Sequence, residues 1–525
     1  MSMTSERTTY EHEPQTVAVK EEGEKEAHTN AVPSCDDIGF FHEVVFVFCM
    51  CCGQLFSQAA VAQAIAATKG IADTFGVEDL PGEQAWFTAS FSLTVGTFIL
   101  ASGKFGDMFG YKRMYITGVL WFGLWSLICG FSAYAKSAVF FDVCRALQGA
   151  GLALLFPNGV AVLGHYYPPG SMKKNIVMCL FGAAAPSGFN IGALFSSLFD
   201  IKTWWPWTFW ACGIASVCLA VLSYLFVPKK IGTPSRNEPF DWIGSTLGIS
   251  GLILFNFAWN QGSNVGWHVV YNYVLLIVSV GLVVAFAVVE VYLKHPIVPI
   301  KALKGEPAFV LGCIAAGWSC FGIWLYYTFQ WSYYVDNVNA VVASVQFIPC
   351  SIAGFTAALT TAYLLHKVPL SFVMMLSMGA FFAGITIMGT RHVGQTYWGQ
   401  KFVSCLIQPF GMDMSFPAAT IILSNHFPPS KQGIAASLVA TVQNYSVALG
   451  LGFAGTVEKY KTQHLPQTFE LKLLGIRVAF YMGMGLAGLG VVFSVIGGIL
   501  QWKEDRQKAE AGRNEKATEA RHEEI

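Results

Sequence analysis

Long apolar runs alternate with short polar or Gly/Pro-rich breaks along almost the whole chain. A helix needs about 20 mainly apolar residues to cross the hydrocarbon core of a bilayer, and fourteen runs reach that length. We therefore predict an all-α membrane protein. The predicted spans are 41–66, 85–103, 114–135, 138–166, 175–200, 204–227, 241–261, 269–292, 307–334, 338–365, 369–389, 397–425, 432–457 and 476–501.

Composition agrees with a chain embedded in lipid. Hydrophobic residues make up 54% of the sequence and charged residues only 12%, whereas soluble proteins carry about 25% charged residues. The 32 basic and 32 acidic side chains cancel, so no basic field favours a nucleic-acid partner. The cysteines show no metal-site spacing and are predicted to be small buried residues. We expect neither a metal nor another cofactor.

Charge is concentrated at the two ends and in a few loops. Residues 1–38 are polar and acidic and predict a disordered cytosolic tail, and residues 503–525 predict a second cytosolic tail. Basic residues collect in the loops on the same side as both ends, so the positive-inside rule places both termini in the cytosol. The segment at about 458–475, on the other side, carries three lysines and is an exception to this pattern.

The sequence contains an internal duplication, with matched positions 260 residues apart. The matches are Gln148 with Gln408, Gly151 with Gly411, Phe156-Pro157 with Phe416-Pro417, and Pro168-Pro169 with Pro428-Pro429. The repeat predicts a six-helix bundle at 39–228, a linker with two extra spans at 229–304, and a second six-helix bundle at 305–502. Duplicated halves that move around a site at the membrane midplane are the basis of alternating access.

The loop after the second span, Gly103-Lys-Phe-Gly-Asp-Met-Phe-Gly-Tyr-Lys-Arg113, resembles the signature loop of the major facilitator superfamily. Met108 and Tyr111 stand where that family usually has basic residues. The resemblance implies a role in conformational gating for the loop's glycines and charges. These residues are Gly103, Gly106, Asp107, Gly110 and Arg113.

Three further stretches support the same resemblance. Arg145-Ala-Leu-Gln-Gly-Ala-Gly151 is similar to the family's fourth-helix motif. Pro186, Gly188 and Gly192 lie in a stretch similar to the fifth-helix motif of antiporters, although Ala185 replaces a usual glycine and the closing glycines are spread. The stretch 240–262 resembles the seventh span of fungal 14-span drug:proton antiporters, closest to aminotriazole-resistance and boron-exporter-type proteins. The resemblance implies the major facilitator fold and a monomer.

Asp413 is the leading candidate for proton coupling. It falls near the middle of the twelfth predicted span, and the repeat places Ala153 opposite it. An ionised Asp at a helix centre costs about 2.5–3.5 kcal/mol on insertion scales, so a buried carboxylate favours its protonated form and can exchange a proton. The competing interpretation is a structural cap for the backbone group that Pro417 leaves free.

Arg145 is the second candidate for proton coupling, because it lies on the order of 10 Å inside the fourth span. The family motif implies that it pairs alternately with a carboxylate and with the substrate. A local pair with Asp142, three positions earlier on the same helical face, is the structural alternative.

Neutral polar residues within the spans are candidates for substrate binding. Individually, residues of this kind are more often helix–helix contacts than ligand contacts. Together they suit a neutral or weakly charged polar solute, because a strongly anionic one would require more than one basic residue. The candidates are Gln58, Asn158, Asn190, Gln330, Trp331, Gln346, Gln443 and Asn444.

We therefore predict a secondary transporter that exports a small polar or amphipathic compound, such as a drug, toxic azole, metabolite or borate, in exchange for protons. An importer or facilitator of a small nutrient such as ammonium is the alternative on the same scaffold. A membrane sensor that does not transport is the alternative of another class. No nucleotide-binding loop or clustered catalytic residues occur, so neither ATP-driven transport nor an enzyme is supported. The plasma membrane is expected, with the vacuolar membrane as the alternative.

Overall fold

The computed structural model describes residues 38–168, 171–228, 240–293, 296–365, 367–427, 432–463 and 468–523. Across these ranges the chain is almost entirely helical and contains no β-strand. Fourteen helices are long and apolar enough to cross a bilayer. They are α1 (Phe40–Ala66), α2 (Pro81–Phe109), α3 (Tyr111–Ala135), α4 (Ala138–Tyr166), α5 (Met172–Lys202), α6 (Pro206–Phe226), α7 (Trp242–Val265), α8 (Val270–Tyr292), α9 (Glu306–Tyr334), α10 (Ala340–Leu364), α11 (Leu370–Gly389), α12 (Gln400–His426), α13 (Gln432–Thr462) and α14 (Phe469–Glu523).

The predicted all-α fold with fourteen spans is confirmed. Most predicted boundaries lie within a few residues of the helix ends, but α2 and α14 begin earlier than predicted. The additional turn of α2 is polar, yet Gln84 is only 3% exposed, because other helices cover it instead of lipid. The predicted C-terminal tail continues α14 as helix to Glu523. Residues 1–37 of the predicted N-terminal tail, and Pro169, Pro428 and Pro429 of the repeat, lie outside the described residues.

The helices pack as two groups that repeat the same pairing. In the first group α1 packs on α5, α2 on α4, and α3 on both α4 and α6. In the second, α9 packs on α13, α10 on α12, and α11 on both α12 and α14. Between the groups, α2 contacts α13 and α5 contacts α10. This matched pairing is what a duplicated sequence should give. The exact domain boundaries and the side of the membrane on which the termini lie stay predictions.

The extra helices α7 and α8 form a pair that packs against both groups. Helix α7 contacts α2 and α13, where the two groups meet. Its Asn260 donates a hydrogen bond to the carbonyl of Ala448 on α13 at 3.1 Å. One turn later Asn264 donates to the Glu83 carboxylate on α2 at 2.6 Å. The insert therefore connects the bundles in addition to joining them in sequence.

Glycines allow α5 to approach α1 closely. A Cβ atom built on Gly188 would lie 2.8 Å from Leu55 Cα, and one built on Gly192 would lie 2.8 Å from Ala59 Cβ. Small residues four positions apart commonly mediate such close helix contacts in membranes. These two candidate gating glycines therefore have a packing role, while their part in gating stays a prediction.

Replacing Gly192 by Ala should destabilise the protein, because the added methyl group has no room beside α1. Overpacking of this kind costs about 1–3 kcal/mol, and thermal unfolding of the purified protein would measure it. The matched control is Gly281→Ala on α8, where a Cβ atom meets nothing within 4 Å. Its melting temperature should be unchanged or slightly raised. Equal melting temperatures for the two variants would contradict the close α1–α5 contact.

Candidate functional site at the contact between the two bundles

Asp413 occupies the midpoint of α12, thirteen residues from either end. Pro409 and Pro417 flank it four positions away on each side. Because proline lacks an N–H, Pro417 leaves the backbone carbonyl of Asp413 without its helical donor. The Thr361 hydroxyl on α10 donates to that carbonyl at 3.4 Å. The same hydroxyl donates to the carbonyl of Ala357 at 2.7 Å, so its contact with Asp413 is the longer of the two, and the capping role offered as an alternative for the Asp413 side chain stays a prediction.

The carboxylate of Asp413 lies where α5, α10 and α12 meet. A Cβ atom built on Gly354 of α10 would be 2.9 Å from Asp413 Oδ2 and 3.7 Å from Pro186 Cβ on α5. The carboxylate has no hydrogen-bond or ion-pair partner among the described residues, and its surroundings are largely apolar. Asp413 is only partly exposed, and an unpaired ionised carboxylate in such surroundings is costly.

One turn away, a chain of hydrogen bonds joins the two bundles at the same level. The Asn190 amide donates to Ser351 Oγ at 2.5 Å, and the Ser351 hydroxyl donates to the carbonyl of Pro186 at 2.7 Å. Asn190 and Pro186 belong to α5 and Ser351 to α10, so the contact crosses between bundles. The structure therefore brings Asn190, Pro186 and Asp413, predicted for three different roles, into one region.

The contact between bundles differs at the two ends of the helices. We call the end where α1 leads into α2 the distal end, and the opposite end proximal. Toward the distal end, Ser197 on α5 bonds to Ser344 on α10 at 2.7 Å, and Tyr333 donates to the Ala66 carbonyl at 2.7 Å. One turn proximal to the α5–α10 contact, Gly182 is exposed, and a Cβ atom there meets nothing within 4 Å. The α5–α10 contact is therefore hydrogen-bonded toward the distal end, whereas α5 has no close neighbour at Gly182.

Arg145 is fully buried inside the first bundle. Its guanidinium donates to the carbonyl of Phe87 at 3.1 Å, to the carbonyl of Ala60 at 2.8 Å, and to the side-chain oxygen of Gln148. It also lies over the Phe91 ring, 4.5 Å from the centroid. These contacts connect α1, α2 and α4. In this conformation Arg145 stabilises the bundle, and its predicted role in proton coupling stays a prediction.

Asp142 does not form the direct pair with Arg145 that the sequence allowed. The two side chains interact electrostatically, but no ion pair within 4 Å joins these two described residues. The Asp142 Oδ1 atom is buried and has no hydrogen-bond partner among the described groups. Backbone carbonyls and Gln148 therefore replace Asp142 as the contacts that satisfy Arg145.

The other predicted substrate residues are scattered. Gln58 and Gln443 are partly exposed, and their amides make no hydrogen bond to another described residue. Asn444 bonds within its own helix. Gln330 lies near the distal end beside α2, and Trp331 is fully buried in the second bundle. The structure therefore does not gather all of these residues into one binding site.

The sequence of residues 46–451 matches the family model of the Major Facilitator Superfamily. This match covers well over half of the chain, and the fold has the two bundles expected of that family. The chain belongs to the major facilitator superfamily. The resemblance drawn from the signature loop and the helix motifs is thereby confirmed, and the protein is a transporter, not an enzyme.

Fungal members of the superfamily are similar over most of their length. A low affinity ammonium transporter of Saccharomyces cerevisiae is 48% identical over 86% of this chain and 87% of its own. Efflux pump terJ of Aspergillus terreus is 40% identical, over 86% and 87%. The aminotriazole resistance protein of Saccharomyces cerevisiae is 38% identical, over 86% and 83%. These relatives place the chain among fungal transporters of small molecules.

Solved structures show the same fold at low sequence identity. A POT family transporter crystallised with a thioalcohol-conjugated peptide aligns with a TM-score of 0.63, over 87% of this chain and 96% of that one. Its sequence is 15% identical. At that level the likeness shows the superfamily fold alone.

The superfamily's signature loop is held by close contacts at its centre. A Cβ atom on Gly106 would lie 2.7 Å from Tyr111 Cδ1 and would collide with the Asn158 amide. The Tyr111 hydroxyl donates to Asp107 Oδ1 at 2.6 Å, so a neutral donor acts where the family usually has a basic residue. Asn158 is 1% exposed and bonds to the Leu154 carbonyl. It also donates to the carbonyl of Ser102 on α2 at 3.4 Å. In this conformation Asn158 is therefore a helix–helix contact that a substrate cannot reach.

The ends of the signature loop differ in what they contact. Gly110 separates α2 from α3 with φ +95°, a backbone conformation that favours glycine. A Cβ atom on Gly103 would lie 3.4 Å from Ser437 Oγ on α13, so this end of α2 lies close to the second bundle. Arg113 is exposed and contacts no other described side chain. The loop's part in gating stays a prediction.

Sequence reasoning missed a buried charge cluster near the distal end of the second bundle. Arg391 donates to both oxygens of Asp336 at 2.9 and 2.7 Å. Lys401 donates to Ser332 Oγ at 2.6 Å and to the side-chain oxygen of Gln346. The side chain of Gln346, predicted to bind substrate, is therefore hydrogen-bonded to Lys401. The available signal was the position of Lys401, which falls inside the predicted span 397–425.

Replacing Arg145 by Lys should lower the melting temperature, because a single ammonium group cannot reproduce the planar guanidinium's contacts to three helices. The loss of a buried charge-assisted hydrogen bond costs about 1.5–3 kcal/mol. Thermal unfolding would measure the change. The matched control is Arg113→Lys in the exposed loop, which should melt like the parent protein. An Arg145→Lys variant of unchanged stability would argue against the stabilising role.

Proposed function

We propose that the protein exports a small polar or amphipathic compound in exchange for protons. The observation that carries this proposal is the Asp413 carboxylate, placed at the midpoint of α12 where the bundles meet, with no partner among the described residues. A carboxylate in this position requires a proton or a polar ligand to balance its charge. Proton and substrate can therefore alternate as its partner, which is the requirement for antiport.

The arrangement of α5 and α10 supports alternating access. Hydrogen bonds join these helices from the middle of the membrane to the distal end, and one turn proximal, at Gly182, α5 has no close neighbour. With the termini placed in the cytosol by the basic loops, the joined end of this contact faces outward and the Gly182 end faces the cytosol, the side on which an exporter collects its substrate. We propose that the protein does so as a monomer in the plasma membrane, with the vacuolar membrane as the alternative.

The chemistry around Asp413 favours a substrate that donates hydrogen bonds. Pro186 has no N–H, so the carbonyl of Gly182 lacks its helical donor and is a free acceptor beside the same contact. Phe156 and Phe416, which are aromatic and partly exposed, pack against a small apolar cluster between the bundles. Acceptors and aromatic faces together suit a neutral or weakly charged polar solute, such as an azole or boric acid.

Exchange of Asp413 for Asn should uncouple transport from the proton gradient, because the amide cannot gain or lose a proton. In reconstituted vesicles the variant should still exchange labelled for unlabelled substrate at equal pH. The acceleration by a pH gradient should fall at least about tenfold, to the background level. An Asp413→Asn protein that retained the parent's pH dependence would refute the coupling role.

The matched control for that experiment is Glu290→Gln. Glu290 is also a buried acid within a span, but it lies on α8, outside the two bundles, and accepts a hydrogen bond from the Val298 backbone at 3.0 Å. Its removal should leave proton coupling intact. Loss of coupling in both variants would indicate that replacing any buried acid has this effect. That result would argue against a specific coupling role for Asp413.

Import of a small nutrient is the second candidate function, because the relative named a low affinity ammonium transporter is 48% identical. The two functions respond oppositely to a pH gradient. In inside-out membrane vesicles, an acidic lumen should accelerate uptake of the substrate by an antiporter and slow it in a proton-coupled importer. We expect acceleration. A preceding screen of deletion and overexpression strains for tolerance to azoles, amines and borate would supply the substrate, and altered uptake of one nutrient without altered tolerance would favour import.

A further inference from the structure

A pocket of roughly 220 Å³ opens at the distal end, away from Asp413. Both bundles and the insert contribute to it. Gln84 comes from α2, Gln330 from α9, Glu458 from α13, and Asn264 from the end of α7. We call it the distal pocket. Its volume is far larger than a single bound water or ion requires, so it has room for a small organic molecule.

The polar centre of the distal pocket is the carboxylate of Glu458. This residue is 7% exposed. Its Oε2 atom accepts a hydrogen bond from the Tyr327 hydroxyl at 2.6 Å, whereas Oε1 has no hydrogen bond to any described group. A Cβ atom on Gly475 of α14 would come within 2.6 Å of Oε1. The backbone of α14 therefore leaves space for the carboxylate, and one of its oxygens is available to a ligand.

A second buried polar group faces the same space. Tyr326 lines the distal pocket and is 1% exposed, with its hydroxyl close to the Gln330 amide. Buried hydroxyl groups are nearly always hydrogen-bonded. The free oxygen of the buried Glu458 carboxylate, beside this hydroxyl, gives the pocket a place for a ligand that donates hydrogen bonds.

The lysines of the distal pocket are already engaged. Lys472 lies 3.4 Å from the Asp79 carboxylate and over the Tyr334 ring, 4.7 Å from its centroid. Lys459 donates to the backbone carbonyl of Asn264. Neither is free to bind an anion, and Glu458 remains without a cation. The charge of the pocket therefore favours a positively charged ligand.

A metal ion does not fit these features. No group of three or more His, Cys, Asp or Glu side chains suited to a metal occurs among the residues searched, whereas Ca²⁺ takes six to eight oxygen ligands. Tyrosine rings beside a carboxylate are instead typical of sites for organic ammonium groups, which interact with both aromatic faces and negative charge.

We propose that the distal pocket binds a small protonated primary amine, with its ammonium group between Glu458 Oε1 and the Tyr326 hydroxyl. The site is separate from Asp413 and needs no assumption about the transported compound. Because its walls come from α2, α9 and α13, a bound amine contacts both bundles at the end where they are joined. Occupancy therefore stabilises the distally closed state.

The test uses the purified full-length protein in lipid nanodiscs, with ethanolammonium chloride as the probe and thermal unfolding as the readout. Ethylene glycol is the matched neutral compound of similar size. We expect a saturable rise in melting temperature with ethanolammonium and none with ethylene glycol or sodium chloride. Glu458→Gln should weaken the apparent affinity at least tenfold. Tyr326→Phe, which keeps the ring and removes only the hydroxyl, should weaken it about threefold to tenfold.

Asp413→Asn is the control that separates this site from the proposed transport site, and its response to ethanolammonium should equal that of the parent protein. Loss of the response in Asp413→Asn would place the amine at the transport site and overturn the proposal. Equal stabilisation by ethylene glycol would also overturn it, as would parent-like affinity in both pocket variants. Should Glu458→Gln fail to fold, the Tyr326→Phe titration decides the outcome.

Discussion

The structure depends on one constraint, which is that an ionised side chain within a bilayer must have its charge and its hydrogen bonds balanced. Arg145 meets this requirement with two backbone carbonyls, one amide and an aromatic ring. Arg391 meets it with both oxygens of Asp336, and Lys401 with a hydroxyl and an amide. Each group consequently joins several helices. Asp413 lacks such partners among the described residues and also lies at the contact between the bundles, and this combination makes it the candidate for a changing charge.

The duplicated halves use the same packing but different chemistry. Both contain a buried cation in the distal half of their fourth helix, Arg145 in α4 and Lys401 in α12. These residues are not equivalent in the repeat, because Lys401 corresponds to Phe141. Asp413 likewise corresponds to Ala153, which packs in an apolar cluster at the contact between bundles. A symmetric scaffold therefore carries an asymmetric site, so that one half supplies the carboxylate and the other supplies Pro186 and Asn190.

The inserted helix α7 adds a third element to this two-part design. In the first half, Gly192 packs against α1. Its counterpart Gly452 in the second half faces α7 instead, because a Cβ atom built on Gly452 would lie 3.1 Å from the backbone nitrogen of Asn260. The insert thus occupies a surface of α13 and also bonds to Glu83 of α2. When one bundle moves against the other, α7 must either lose its contacts with one of them or bend to keep both. The end of α7 also forms part of the distal pocket, which connects the insert to the proposed amine site.

The sequence by itself determined the all-α fold, the fourteen spans and the duplication, because apolar run length and repeat spacing are local properties that lipid makes decisive. It also identified Asp413, because a charged residue at the centre of an apolar run stands out. Only the tertiary structure decided which polar residues meet. Among the predicted substrate-binding residues, Asn158 and Trp331 proved to be buried helix contacts, and Gln346 is hydrogen-bonded to Lys401. Asn190 is the member of this set that lies with Pro186 beside Asp413. Glu458 and Lys401 lie near the ends of apolar runs, where sequence cannot tell a charge facing water from one covered by neighbouring helices. That distinction depends on which helices pack together, and residues far apart in sequence determine the packing.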